Sequence, residues 1–133
     1  MKIRSMSTSI VNLFLFFFLG LAISASADSM KIAVATNGPG KDTIISQRAA
    51  KTPFFLFFDG KGNFIEALEN PFCDQPSNAG PRAAIFLADK GVTLVIAGSI
   101  GSKMEQALMD YQIEYAEQTG VAYDVVQSII QDR

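Results

Sequence analysis

The sequence predicts a mixed α/β domain, a five-stranded sheet with its second strand antiparallel and about three helices covering it. Three observations carry that expectation. From Met30 onward, short apolar runs are each stopped by Gly, Pro or Asn, as buried strands ending in turns would be. Two of these runs are joined by Asp59-Gly60-Lys61-Gly62-Asn63, a link of hairpin length, which makes them antiparallel neighbours. In the second half, stretches with helical apolar spacing alternate with strands, an order that demands crossover connections and parallel pairing.

The first strand is Lys31 to Thr36, closed by Asn37-Gly38-Pro39-Gly40; Pro53 to Phe58 is the second and Phe64 to Glu69 a more alternating third. After Asn70-Pro71 the chain reads as irregular until Pro81, which suits a helix's first turn because its missing N–H is not needed there. That helix is expected to run through Lys90 and stop at Gly91. Val92 to Ala97 is the fourth strand, broken by Gly98. Ser102 and Glu105 have the spacing of a capping box, in which each side chain satisfies a free amide of the first turn. Met104, Ala107, Leu108 and Tyr111 follow on one helical face. A short strand near Ile113 to Glu117 leads through Thr119-Gly120 to a last helix from about Val121, striped by Ala122, Val125, Val126, Ile129 and Ile130. No repeat or linker divides residues 28–133, which read as one domain.

Residues 1–27 read differently. Of the 18 residues from Ile10 to Ala27, 14 are apolar; Lys2 and Arg4 precede them, and no acidic residue occurs before Asp28. A basic start, the run Leu13 to Ile23 and Ala25-Ser26-Ala27 are the three parts of a secretory signal peptide. Cleavage is expected before Asp28, leaving a periplasmic or secreted protein. The alternative is an uncleaved membrane anchor, since the segment approaches the roughly 20 residues of a span. The leader also explains a chain that is 49% apolar: 48 of the remaining 106 residues are apolar, an ordinary globular proportion. What remains has nine basic and thirteen acidic side chains, a balance that speaks against a nucleic-acid partner.

Connectivity says where a ligand can sit. With the first strand pointing up, the Asn37 to Gly40 loop lies on top and the Asp59 to Asn63 hairpin at the bottom. The loops at Asn70 to Gly80, Gly98 to Gly101 and Thr119-Gly120 then join the first at the carboxyl ends of the parallel strands, where open α/β sheets bind ligands. Three of these loops enter helices, whose amino ends offer free N–H groups to an anion. Asn37, Gly38, Gly40, Gly80, Gly98 and Gly101 shape the loops, and Lys41, Arg82 and Lys103 stand beside them. Each glycine taken alone also fits a plain turn, and each cation a solvated side chain. No loop has GxGxxG or GxxxxGK[ST], so no nucleotide is indicated.

The chain has no His and one Cys, which excludes a Cys-His pair, a Ser-His-Asp triad and a His-ligated zinc within one chain. The strands Ile32 to Ala35 and Leu94 to Ile96 carry no carboxylate for a nuclease's divalent metal. Cys73 lies in a loop of the expected binding edge, and thiolate is a natural ligand for soft metals and metal-sulfur clusters. A free or half-buried thiol is the alternative. No CxxC and no His base accompany it, which disfavours a thiol redox enzyme.

These residues resemble the dinitrogenase iron-molybdenum cofactor biosynthesis family, over roughly Met30 to Ile130. The similarity rests on Met30 to Thr36, Glu69-Asn70-Pro71, Asn78 to Ala84, Leu87 to Val92 and Val95 to Gly101. It implies a ribonuclease-H-like three-layer fold without nuclease activity. It also implies that the protein binds or carries an anionic metal-sulfur cluster, iron-molybdenum-cofactor-like or of another metal, and meets a cluster donor or acceptor protein. The family's Ser-x-x-Phe-Gly-Arg-Ala-like segment, often with a His, corresponds to Ser46-Gln47-Arg48-Ala49-Ala50-Lys51-Thr52, which keeps the serine and basic positions such as Arg48 but has Ala-Ala for Phe-Gly. The expectation is a non-enzymatic accessory protein with a metal-cluster cargo. A cofactor-free interaction module of the cell envelope on the same fold is the alternative, favoured by that substitution and the missing His.

Overall fold

The computed structural model describes residues 30–133; the leader, its cleavage before Asp28 and the anchor alternative lie outside them. The elements are β1 (Lys31–Thr36), β2 (Phe54–Asp59), β3 (Phe64–Glu69), α1 (Ala79–Asp89), β4 (Leu94–Ala97), α2 (Ser102–Asp110), β5 (Glu114–Glu117) and α3 (Ala122–Gln131). They build one sheet in the order β3-β2-β1-β4-β5. β1 is parallel to β4 and β4 to β5, whereas β2 is antiparallel to both β1 and β3. The second strand alone runs against the other four, as the hairpin link required.

Side-chain alternation along the strands sorts the core into two layers. Ala33, Ala35, Phe55, Phe57, Val95 and Ala97 pack with Ala83, Ala84 and Leu87 of α1 and with Met104 and Leu108 of α2. Ile32, Val34, Leu56, Phe58, Leu94 and Ile96 pack on the other face with Ile45 and with Ala122 and Val126 of α3. Helices therefore cover both faces. That explains why adjacent phenylalanines such as Phe57 and Phe58 are both fully buried, and why the central strands read as unbroken apolar runs.

Local details correct the sequence reading at three helix ends. α1 starts at Ala79, two residues before Pro81, with Asn78 in the left-handed region (φ 61°, ψ 23°) as its N-cap. The Ser102–Glu105 capping box does not form: Gly101 is the N-cap, Ser102 is already helical, and no side chain caps the end. Tyr111, expected on the buried stripe of α2, is its C-cap residue and is exposed, because the helix stops before the stripe reaches it. β4 also begins at Leu94 rather than Val92, whose N–H is held by the Leu87 carbonyl (3.1 Å) as α1 ends over Gly91 at φ 79°. Among the described residues no helix is long and apolar enough to cross a membrane.

Candidate functional site

The connection from β1 to β2, residues 37–53, decides what the carboxyl edge of the sheet can hold. Its first part turns toward α3. The N–H of Ala122 donates to the Thr43 carbonyl (2.9 Å) and that of Tyr123 to the Lys41 carbonyl (3.0 Å), so this loop fills the amino end of α3 itself. The Lys41 ammonium lies 5.1 Å from the centre of the Tyr123 ring. Asn37, Gly38 and Gly40 belong to the same turn: the Asn37 N–H donates to Ile44 (3.1 Å) and the Thr36 hydroxyl to the Gly38 carbonyl (2.8 Å).

The second part crosses the edge. The N–H of Ser46 donates to Ala35 (2.8 Å), that of Gly98 to Ser46 (2.8 Å) and that of Ala49 to Ser99 (3.0 Å), which stitches the segment over the ends of β1 and β4. Only a glycine lets it pass so close: a Cβ on Gly98 would lie 2.9 Å from the Gln47 Cα and 3.0 Å from the Ser46 carbonyl oxygen. Ile45 belongs to the core under α3 and Ala49 to the core under α1 and α2, so the chain changes faces within four residues.

Beyond the crossing, residues 48–51 face the β3–α1 and β4–α2 loops across a cleft of about 300 Å³. Arg48 and Lys51 line it on one side, Asn78 and Gly80 on another, and Ser99 and Gly101 on a third. Among the described residues, two cations and no carboxylate line this cleft, in a chain with more acidic than basic residues. Both α1 and α2 open onto it without a side-chain cap. Their amino ends are brought together at Gly80, where a Cβ would meet the Met104 Cβ at 2.9 Å and its backbone N at 3.1 Å. First-turn amides have no acceptor within a helix, and the positive ends of two helix dipoles add to the two cations. The arrangement suits an anion.

Two residues hold the loops in place. Asn70 is buried; its amide donates to the carbonyls of Ala50 (3.0 Å) and Thr52 (2.9 Å), and its oxygen accepts from the Phe72 N–H (3.0 Å). It fixes the exit of β3 against the turn that carries Arg48 and Lys51. The Lys51 ammonium donates to the Gln75 carbonyl, tying the middle of the β3–α1 loop to the same turn.

Of the residues singled out in the sequence, Arg48, Gly80 and Gly101 line the cleft. Arg82 and Lys103 are exposed in the first turns of α1 and α2. Gly98 lies under the crossing segment, whereas Asn37, Gly38, Gly40 and Lys41 lie on the α3 side, away from the cleft. Cys73 is half-buried in the β3–α1 loop and does not line the cleft. Among the described residues no three His, Cys, Asp or Glu side chains are grouped to hold a metal ion. Lys51, Gln75, Ser77, Asn78 and Ser99 line the cleft without having stood out in the sequence; the segment Ser46 to Thr52, where the chain departs from its family resemblance, was the available signal for Lys51.

Among the described residues, two ionisable groups have displaced pKa values. The Asp59 carboxyl is held below its ordinary value, chiefly by the Asn63 backbone N–H and further by the Asn63 side chain and by Lys61, against a smaller opposing effect of burial. This is local to the β2–β3 turn at the far end of the sheet. The Tyr115 hydroxyl on β5 is pushed up, first by its hydrogen bond with Glu105, then by burial and the negative charges of Glu105 and Glu117. Neither residue lines the cleft.

Comparison with known proteins supplies an independent measure. The sequence profile of the family described as dinitrogenase iron-molybdenum cofactor matches residues 30–132. The apo form of the orange protein from Desulfovibrio gigas, known at high resolution, superposes with a TM-score of 0.73 at 26% identity, covering 77% of this chain and 88% of that one. A Thermotoga protein solved by NMR, described as a candidate NifB protein and placed in the DUF35 family, superposes with a TM-score of 0.67 at 22% identity, covering 78% of this chain and 90% of that one. Among curated proteins none matches the chain.

Proposed function

The chain belongs to the dinitrogenase iron-molybdenum cofactor family, and from that premise we propose that it is an accessory protein that binds or carries an anionic metal-sulfur cluster in the cleft between residues 48–51 and the amino ends of α1 and α2. The observation that carries the reading is the cleft's charge, two cations and two uncapped helix ends with no carboxylate, in an otherwise acidic chain. Such a cleft holds a preformed cluster by charge and by N–H donors, since no Cys or carboxylate lines it to bond a metal. The similarity to a relative known in an apo form supports a cargo-binding role, because an apo form presupposes a bound group. No step of bond making or breaking is required of the protein.

Anaerobic incubation of the full chain with tetrathiomolybdate or with synthetic iron-sulfur clusters, followed by desalting and measurement of metal, sulfide and visible absorbance, tests this. The native chain and Cys73→Ser are expected to retain the cargo alike, and Arg48→Gln/Lys51→Gln to lose most of it. A native chain that stays colourless with every cluster offered would sink the reading.

A further inference from the structure

We propose that Lys51 is a strap that couples filling of the cleft to closure of the β3–α1 loop over it; this rests on the cleft's taking an anion. The loop is tied firmly only at its ends. Asn70 anchors one end to the backbone of Ala50 and Thr52, and α1 carries the other. Between them the backbone hydrogen bonds are local, from Cys73 to Asn70 (3.4 Å) and from Gln75 to Phe72 (3.1 Å). Phe72 packs edge-on to Phe86 with ring centres 6.4 Å apart, but Asp74, Pro76, Ser77 and Asn78 are exposed. Among the described residues, the hydrogen bond that joins the middle of this loop to the opposite wall comes from the Lys51 ammonium to the Gln75 carbonyl. A stretch with so few buried contacts opens readily, and that bond is what opposes it.

An ammonium has three donors. One is on the Gln75 carbonyl, and the others serve the cleft that Lys51 itself lines. An anion there holds the ammonium from inside while the ammonium holds the loop. Each contact then steadies the other, and by linkage loop closure strengthens anion binding by the same factor as the anion favours closure. Arg48 lines the same cleft, and among the described residues no hydrogen bond joins its guanidinium to the loop, so it supplies charge but no strap.

Amide hydrogen exchange of residues 72–78 in the full chain, read by mass spectrometry with and without saturating tetrathiomolybdate, tests the coupling; equilibrium dialysis follows binding separately. In the native chain the anion is expected to slow exchange of this segment about fivefold or more. Arg48→Met needs more anion but shows the same slowing once saturated. Lys51→Met exchanges this segment faster than the native chain even without anion, and saturating anion does not slow it. Lys51→Arg, which keeps charge and reach, restores the slowing, an outcome that general misfolding of position-51 variants would not give. Binding without slowing in the native chain, or slowing that survives in Lys51→Met, overturns the strap and leaves the anion cleft standing. No binding in the dialysis overturns the cleft and the strap together.

Discussion

Asn70 shows how one residue can set a site it does not touch. Its side chain satisfies two carbonyls on the turn that bears Arg48 and Lys51 and the amide of Phe72 on the next loop, all in a nearly water-free position. Asn70→Ala removes three hydrogen bonds and leaves buried backbone groups without partners, so the expected loss is about 2–4 kcal/mol of stability. Urea denaturation measures it, and a loss below about 1 kcal/mol would show that water or backbone movement replaces the side chain. Asn70→Asp is expected to be no better, because a carboxylate cannot donate to either carbonyl. At this scale the sequence was least legible. Asn70 stood out only as part of a loop exit, since its partners at Ala50 and Thr52 are distant in the chain, and Lys51 is joined to a carbonyl 24 positions away. Such pairings follow from the path of the chain and leave no local pattern.

Elements were far more legible, because each is written in consecutive residues. The hairpin link fixed the antiparallel strand, and the stripe with Ala122 and Val126 marked the buried face of α3. Helix ends were harder: Gly101 takes the N-cap of α2, which displaces the expected capping serine into the helix. Gly80 and Gly101 illustrate the difference between a glycine as punctuation and a glycine as a contact. At Gly101 a Cβ meets nothing within 4 Å and the backbone is extended (φ −68°, ψ 158°), so Gly101→Ala is expected to change stability by less than about 0.5 kcal/mol. At Gly80 a Cβ would overlap Met104, and the helix propensity gained with alanine, up to about 1 kcal/mol, is outweighed by a packing strain of about 1–3 kcal/mol. Gly80→Ala should therefore be the less stable variant in urea and should also bind anion more weakly, as the two helix ends are forced apart. Equal behaviour of the two variants would remove the close approach at Gly80 as the feature that brings the helix ends together.

At the scale of the whole molecule the three-layer fold was legible, whereas which edge loops meet around one cleft was only half so. Connectivity placed the β1–β2, β3–α1 and β4–α2 loops at the carboxyl edge, but it could not show that the β1–β2 link spends its first half on α3 and its second half on the cleft. That division separates Lys41 from Arg48 and Lys51 and leaves a local positive site on a negative molecule. The carboxylates of Asp59, Asp89 and Asp110 lie at the hairpin and at the carboxyl ends of α1 and α2, the opposite end of a sheet about 20 Å long from strands of six residues. Glu117, which accepts from the Ile100 N–H (2.9 Å), and Glu105 in the first turn of α2 lie instead at the cleft's own edge. At 0.1 M salt the Debye length is about 10 Å, so the repulsion of the distant carboxylates is already screened at the cleft, and what remains is the attraction of Arg48 and Lys51, which line it, against the repulsion of Glu105 and Glu117 outside its lining. Raising sodium chloride from 0.1 to 0.5 M should then weaken tetrathiomolybdate binding by roughly threefold or more in the native chain, read by equilibrium dialysis. In Arg48→Gln/Lys51→Gln the residual binding by helix amides should be weak and nearly independent of salt. An equal salt dependence in the two proteins would locate the attracting charge elsewhere, on Arg82 and Lys103 in the first turns of the helices, and would move the anion outward from the cleft to its rim.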